Sequence, residues 1–346
     1  MRELAERRQI ARLFAGVLLL GAAAAFVSCG SADTEADADS GSSSGSSSSV
    51  ALTWDARSLQ ESESDAPFST SILPTSVAVG PSRMLFALID RAQGTLVSGA
   101  TITARYYRLA ADPEKEPDVS EEYATTDVIS RTLDLRGVAG DSTSPVNDAD
   151  LTTVYSTTAT FDAPGYWGVS LEITVGDETY RPRMKFWVLE ATPEIAVGAP
   201  APRSEQATLA DVADAVAVSS QPEPNEAMLD QTVAAALDSG KPVVVAFVTP
   251  AFCVTRFCGP VLDAVVQPAF EQYGDRVEFV HIEPYDLAKA RTESVLEPVP
   301  AVLEWGIQTE PFIFVIDAEG IVRAKLEGVT DLAELSDAIE SVLPGA

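Results

Sequence analysis

The sequence predicts two folded parts of different class, an antiparallel β-sandwich followed by an α/β domain, behind a non-globular N-terminus. Three observations carry this. Between about Ser69 and Glu190, short runs rich in β-branched and aromatic residues alternate with turns of Gly, Pro, Asp and Asn. Val243 to Val248 is an apolar run without polar alternation, the pattern of a strand buried on both faces, and two cysteines and a helix start follow it. Residues 31 to 50, SADTEADADSGSSSGSSSSV, hold almost nothing to bury and read as a flexible tether. At 346 residues the chain is too long for one ordinary domain. Its 23 Lys+Arg against 52 Asp+Glu give a formal charge of -29, which opposes non-specific binding to nucleic acid or anionic lipid. No nucleic-acid partner is expected.

Arg2, Arg7, Arg8 and Arg12 precede an apolar run from Leu13 to Val27, short for a membrane span but suited to a signal peptide. The run ends at Cys29. Phe26-Val27-Ser28-Cys29 resembles a bacterial lipobox, in which the cysteine becomes the lipid-bearing first residue of the mature protein; Phe26 departs from the Leu usual at its place. The resemblance implies a signal peptide over 1–28, lipidation at Cys29 and a tether over 29–65. It also implies anchoring on the extracytoplasmic face of the cell membrane. An ordinary secretory signal and an uncleaved anchor are the alternatives.

Within 66–192, strands are expected at Met84–Ile89, Ala100–Tyr107, Thr152–Phe161, Gly168–Val175 and Arg181–Leu189, and an immunoglobulin-like β-sandwich is the most economical way to pack them. Ala163-Pro164-Gly165-Tyr166-Trp167 resembles the turn-then-strand of immunoglobulin-like modules in bacterial envelope proteins. Trp167 and Trp187 are expected to pack in the core or at an edge rather than line a binding face. Asp112 to Asp127 and Gly140 to Asp150 read as solvated acidic loops. Asp141, Asp148 and Asp150 offer hard oxygen ligands for calcium, but their spacing matches no EF-hand loop.

Residues 193–226, with Pro200 and Pro202, read as a linker, and 227–346 as the second domain. A helix is expected from Met228, with Val233 and Leu237 inward and Gly240 closing it. Val277–Ile282 reads as a strand. Pro284–Gln308 reads as an insertion with no assigned element. Phe312–Asp317 and Gly320–Lys325 form a hairpin, and Asp331–Leu343 an amphipathic helix.

Cys253 and Cys258 lie between the buried strand and the helix opened by Gly259-Pro260. A helix N-terminus presents unpaired N–H groups and a partial positive charge, which favour ionised sulfur, and Arg256 could add to this. In one regular helix a rise of about 1.5 Å per residue would hold the two Cα atoms about 8 Å apart, beyond the roughly 7 Å limit for a disulfide. If the pair is oxidised, Cys253 therefore belongs in a loop and the helix starts near Cys258.

Phe252-Cys253 and Cys258-Gly259-Pro260 together resemble the active-site segment of thioredoxin-fold proteins. Val197 to Pro202 is similar to the lead-in of extracytoplasmic members, and Glu310-Pro311 matches the family's cis-proline element. The resemblance implies a thioredoxin-like domain and a possible thiol-disulfide oxidoreductase without a cofactor. Its partners would be thiols or disulfides of envelope proteins. Cys253 would attack and Cys258 resolve, though a helix start at Cys258 allows the reverse. Pro311 and Glu310 would contact substrate. Two features depart from the family: four residues rather than two separate the cysteines, and Ala246 and Phe247 stand where many members carry a buried Asp. Glu310 near the sulfurs would raise a thiol pKa, against Arg256.

The cysteines admit three readings. Thiol-disulfide exchange suits an oxidising compartment. A structural disulfide in a non-catalytic binding module is the second. Cu(I) handling by Cys253, Cys258 and His281 is the third, from the softness of the thiolates. A Ser-His-Asp hydrolase is disfavoured, because the sole histidine lacks a nucleophile motif.

Overall fold

The computed structural model describes residues 50–62, 65–135, 151–253 and 255–345. The leader, Cys29, most of the tether and the three aspartates offered to calcium lie outside the described residues.

The first part is built from strands β1 (Leu52–Trp54), β2 (Phe68–Ile72), β3 (Gly80–Asp90), β4 (Thr101–Arg108), β5 (Asp118–Ser120), β6 (Glu122–Asp134), β7 (Leu151–Phe161), β8 (Gly165–Val175), β9 (Glu178–Tyr180) and β10 (Arg183–Val188), with one short helix, α1 (Ala56–Glu61). β1 pairs with β5, and the other eight strands form one antiparallel network in the order β10-β8-β4-β6-β7-β3-β2, with β9 on β8. The long strand β6 serves both halves of this network. Its residues up to Val128 pair with β4, and those from Ile129 pair with β7. Inward side chains of both halves, among them Met84, Phe86, Tyr106, Trp167 and Leu171, make one core.

Trp167 is fully buried and donates Nε1–H to the Ala163 carbonyl, whereas Trp187 stays half exposed, edge-on to Tyr166. Much of the segment expected as an acidic loop from Asp112 is strand. The alternation is present in β6, but its inward members Ala124, Thr126 and Val128 are small or weakly apolar and only half buried, so they give a faint signal.

The second part contains α2 (Val233–Asp238), β11 (Val243–Phe247), α3 (Cys258–Val261), a π-helical turn (Leu262–Val266), α4 (Gln267–Tyr273), β12 (Glu278–Ile282), α5 (Leu287–Glu293), α6 (Pro300–Trp305), β13 (Phe312–Ile316), β14 (Val322–Glu327) and α7 (Leu332–Glu340). The sheet order is β12-β11-β13-β14, with β11 and β12 parallel and the other pairs antiparallel, a thioredoxin-like arrangement. Every residue of β11 is buried, as its unbroken apolar run requires. The stretch expected as an unassigned insertion supplies α5 and α6. The π turn has a local cause. Pro268 has no N–H for the carbonyl four residues back, and the preceding Gln267 N–H reaches Leu262 O instead, so the helix continues. No helix among the described residues is long and apolar enough to cross a membrane.

The two parts share a face. Leu85, Leu133 and Val154 point away from the β core and join the cluster that holds Val261, Val265 and Leu335. Polar groups beside them converge on Glu334 of α7. Arg83 Nε and Nη2 bind its two carboxylate oxygens at 2.8 Å each, and Arg83 also donates to the carbonyls of Glu327 and Val329 at 2.6 and 2.8 Å. Arg131 adds contacts to Asp331 at 3.3 Å and to Glu334 at 3.7 Å. Burial alone would raise the Glu334 carboxyl, but the Arg83 hydrogen bond and charge outweigh it and hold the group below the usual glutamate range.

Removing one partner of such a nearly buried pair strands the other charge. Arg83→Ala is therefore expected to lower unfolding free energy by about 3 kcal/mol, measured by denaturant titration. Because the folded pKa of Glu334 is depressed, its stabilisation is complete above the unfolded value and disappears as pH falls through the folded one. The gap between wild type and Arg83→Ala should accordingly narrow in acid; a gap constant down to pH 2 would contradict this origin.

Candidate redox site

Strand β11 ends at Phe247, and the chain turns through Thr249 and Pro250 into the loop carrying Cys253. Cys253 and Cys258 form a disulfide, with Cα atoms 5.9 Å apart. Cys253 lies in the loop and Cys258 is the first residue of α3, the placement that disulfide reach demands. The two sulfurs are not equivalent. Cys258 is wholly buried against Val261, Leu262 and their neighbours, whereas Cys253 is only partly buried. Cys253 Sγ also accepts the backbone N–H of Cys258 at 3.3 Å, so the helix start is directed at the outer sulfur.

Thr255 holds the loop. Its hydroxyl lies 3.2 Å from Cys253 Sγ, donates to the Glu310 carbonyl at 3.3 Å and accepts the Phe257 N–H at 3.5 Å. Arg256 is exposed and sits in the left-handed backbone region at φ 68°, which lets the five-residue step turn back on itself. The Glu310–Pro311 peptide is cis and immediately precedes β13, whose Phe312 pairs with Phe247 of β11. The proline thus stands at the end of the sheet where the cysteine loop leaves it.

A carboxylate lies beside the sulfurs. Cys253 Sγ, Cys258 Sγ and a Glu310 oxygen all lie within 4.8 Å of one another. Glu310 is buried and accepts the Tyr285 hydroxyl at 2.9 Å. The Tyr285 phenol is pushed up by burial first and then by the Glu310 charge, and it stays protonated as a donor. Sequence reasoning missed Thr255, whose only signal was a hydroxyl two residues after a loop cysteine, and Tyr285, which fell in the unassigned stretch. His281 lies outside the cysteine cluster. Its Nε2 is 2.9 Å from the Val248 carbonyl, and burial holds its pKa below the usual histidine range.

No protein-family model matches the chain, and no curated protein matches it. Among solved structures, the chain is similar to a thiol:disulfide interchange protein of the thioredoxin family from Chlorobium tepidum TLS. The identity is 20% and the match covers 31% of this chain and 83% of that one, with a TM-score of 0.22. The thioredoxin-like class therefore rests on the strand order, the disulfide at the start of α3 and the cis proline after Glu310, whose carboxylate lies beside both sulfurs.

After reduction, iodoacetamide should label Cys253 at least about tenfold faster than Cys258, because attack needs an exposed thiolate. Equal labelling by mass spectrometry would mean that the burial difference does not survive reduction. Replacing Glu310 by Gln removes a negative charge beside the sulfur. The midpoint of the Cys253 alkylation rate against pH should then move down by about one pH unit.

Proposed function

We propose that the chain is a membrane-tethered, extracytoplasmic thiol-disulfide exchange protein, lipidated at Cys29, in which an immunoglobulin-like sandwich carries the thioredoxin-like domain. One observation carries the exchange reading: a disulfide whose outer sulfur accepts an N–H at a helix start and lies within 4.8 Å of a carboxylate oxygen of Glu310, the residue before a cis proline.

In the reducing direction, the Cys253 thiolate attacks one sulfur of a substrate disulfide. The substrate S–S bond breaks, its electron pair leaves on the second substrate sulfur as thiolate, and a mixed disulfide with Cys253 forms. Cys258 then loses its proton to a base and attacks Cys253 Sγ, which expels the first substrate sulfur and closes the internal bond. Two electrons pass to the substrate, and its two thiolates take up two protons. The oxidising direction is the reverse. We assign substrate contact to Pro311 and Glu310 from the resemblance of this cis peptide to the thioredoxin cis-proline element. The Cu(I) reading gains nothing from His281, and among the described residues the third potential ligand near the sulfurs is a hard carboxylate.

Full-length protein titrated in thiol redox buffers should give a reduction potential between about -270 and -120 mV, and a value below about -300 mV would mark the bond as structural. Cys253→Ser is expected to abolish turnover of a model disulfide. Cys258→Ser should accumulate the mixed disulfide, visible by mass; full activity in both variants would end the exchange reading.

A further inference from the structure

Beside the redox site lies an open cavity of about 440 Å³, lined by the end of β12, α5, α6 and residues 204–207 and 217–218. Its charged lining is of one sign. Glu205, Glu283, Asp286, Glu297 and Glu304 contribute five carboxylates, and the lining contains no Lys or Arg. Burial holds His281 below its usual range, so that imidazole adds no positive charge near neutral pH. Three of the carboxylates have local partners: Asp286 caps α5, Glu297 pairs with Lys289, and Glu304 accepts the Ser204 hydroxyl.

Glu283 differs. It is 6% exposed, its Oε1 accepts the Ser220 N–H at 2.5 Å, and its Oε2 is buried without a hydrogen-bond partner among the described residues. A buried carboxylate oxygen in that position is costly unless a donor reaches it.

We infer that this cavity receives the alkyl chain and cationic head of a basic side chain, Lys or Arg, carried by the disulfide substrate next to its cysteine, with the acidic wall, Glu283 included, as its counter-charge. A metal ion fits less well, because among the described residues three ligand atoms converge within 4.8 Å only at Cys253, Cys258 and Glu310. An elongated organic cation matches dispersed carboxylates better. The rest of the wall suits its methylenes: Ile282, Leu287, Val299 and Ala301 are apolar. Proximity ties the cavity to the chemistry, since Tyr285 lines it and donates to Glu310, which stands beside the sulfurs. This inference rests on the exchange reading for its substrate, but the cavity's preference for a cation does not.

The test separates the two. The oxidised full-length chain is titrated calorimetrically with Ac-Ala-Arg-Ala-NH2, with its norleucine counterpart and with 1,5-diaminopentane. The arginine peptide should bind at least roughly tenfold more tightly than the norleucine peptide, and Glu283→Gln should remove most of that difference. The amide retains an acceptor for the Ser220 N–H. Ala288→Lys, at an exposed lining position, should weaken the arginine peptide independently by placing a competing cation at the cavity.

In turnover, disulfide peptides flanked by Arg should exceed their norleucine analogues in kcat/KM by a similar ratio, and both variants should lower that ratio. Equal affinities for the two peptides, or a preference untouched by both variants, overturns the inference. Glu283-dependent binding of the diamine without the arginine peptide also overturns it, since the site would then serve free amines. Arginine-peptide binding lost in Glu283→Gln, with no disulfide turned over, leaves the basic side-chain site standing and removes the exchange reading alone.

Discussion

The register of strand β11 is the constraint on which the site depends. β11 is wholly buried and paired on both sides, with Phe247 opposite Ile282 of β12 and Phe312 of β13. Because β12 runs parallel to β11, the chain leaves both strands at the same end of the sheet, which puts the cysteine loop beside Glu283 and Tyr285. Because β13 runs antiparallel, the residues that precede it, Glu310 and Pro311, arrive at that end too. A slip of one residue in either pairing would turn every side chain of β11 to the opposite face. Val244 and Ala246 face the cluster that contains Cys258, whereas Val243, Val245 and Phe247 face the cluster around Trp305, so such a slip would exchange two tightly filled cores.

This dependence explains what was legible in the sequence. The β11 run, the Cys253–Cys258 spacing, the Gly259-Pro260 helix start and the hairpin opened by Pro311 are short-range signals whose meaning does not depend on distant partners. For an oxidised pair, the limit on disulfide reach required a loop at Cys253. What was not legible has a shared cause. β6 buries Ala124, Thr126 and Val128 only partly, and is a strand because β4 and β7 pair with its two halves in turn, a long-range fact that leaves little trace in local composition. α5 and α6 are six or seven residues each, too short to show a helical period. Glu310 drew attention as a neighbour of the proline, but its meeting with Tyr285 joins positions 25 residues apart.

The β-rich part also shapes the site. Its strands β6, β7 and β3 bury side chains on both faces, the inner one on the β core and the outer one on the cluster that includes Cys258 and Val261. α3 sits against β6, and Leu133 shares its cluster with Cys258. A wholly apolar joint of this kind could slide. The arginine pair on Glu334 gives it a fixed register, because a bidentate guanidinium-carboxylate contact tolerates little displacement. The arrangement keeps the inner sulfur dry from the side of the β strands and leaves the outer sulfur as the accessible one.

Electrostatics then sets a balance rather than a simple activation. The N–H of Cys258 stabilises charge on Cys253 Sγ, while the Glu310 carboxylate, within 4.8 Å of both sulfurs, opposes it. Tyr285 donates its hydroxyl to Oε2 of that carboxylate at 2.9 Å. Many thioredoxin-like domains place a buried carboxylate on the strand preceding the cysteines, where this chain has Ala246 and Phe247. Here a carboxylate lies within 4.8 Å of both sulfurs on the residue before the cis proline, and a phenol donates to it. Within the proposed exchange reaction Cys258 must lose a proton before it attacks Cys253, and a Glu310 carboxylate oxygen lies within 4.8 Å of its sulfur. Under the proposed exchange reading, Glu310 meets two demands of one cycle, restraining ionisation of the outer sulfur and offering the inner thiol a base.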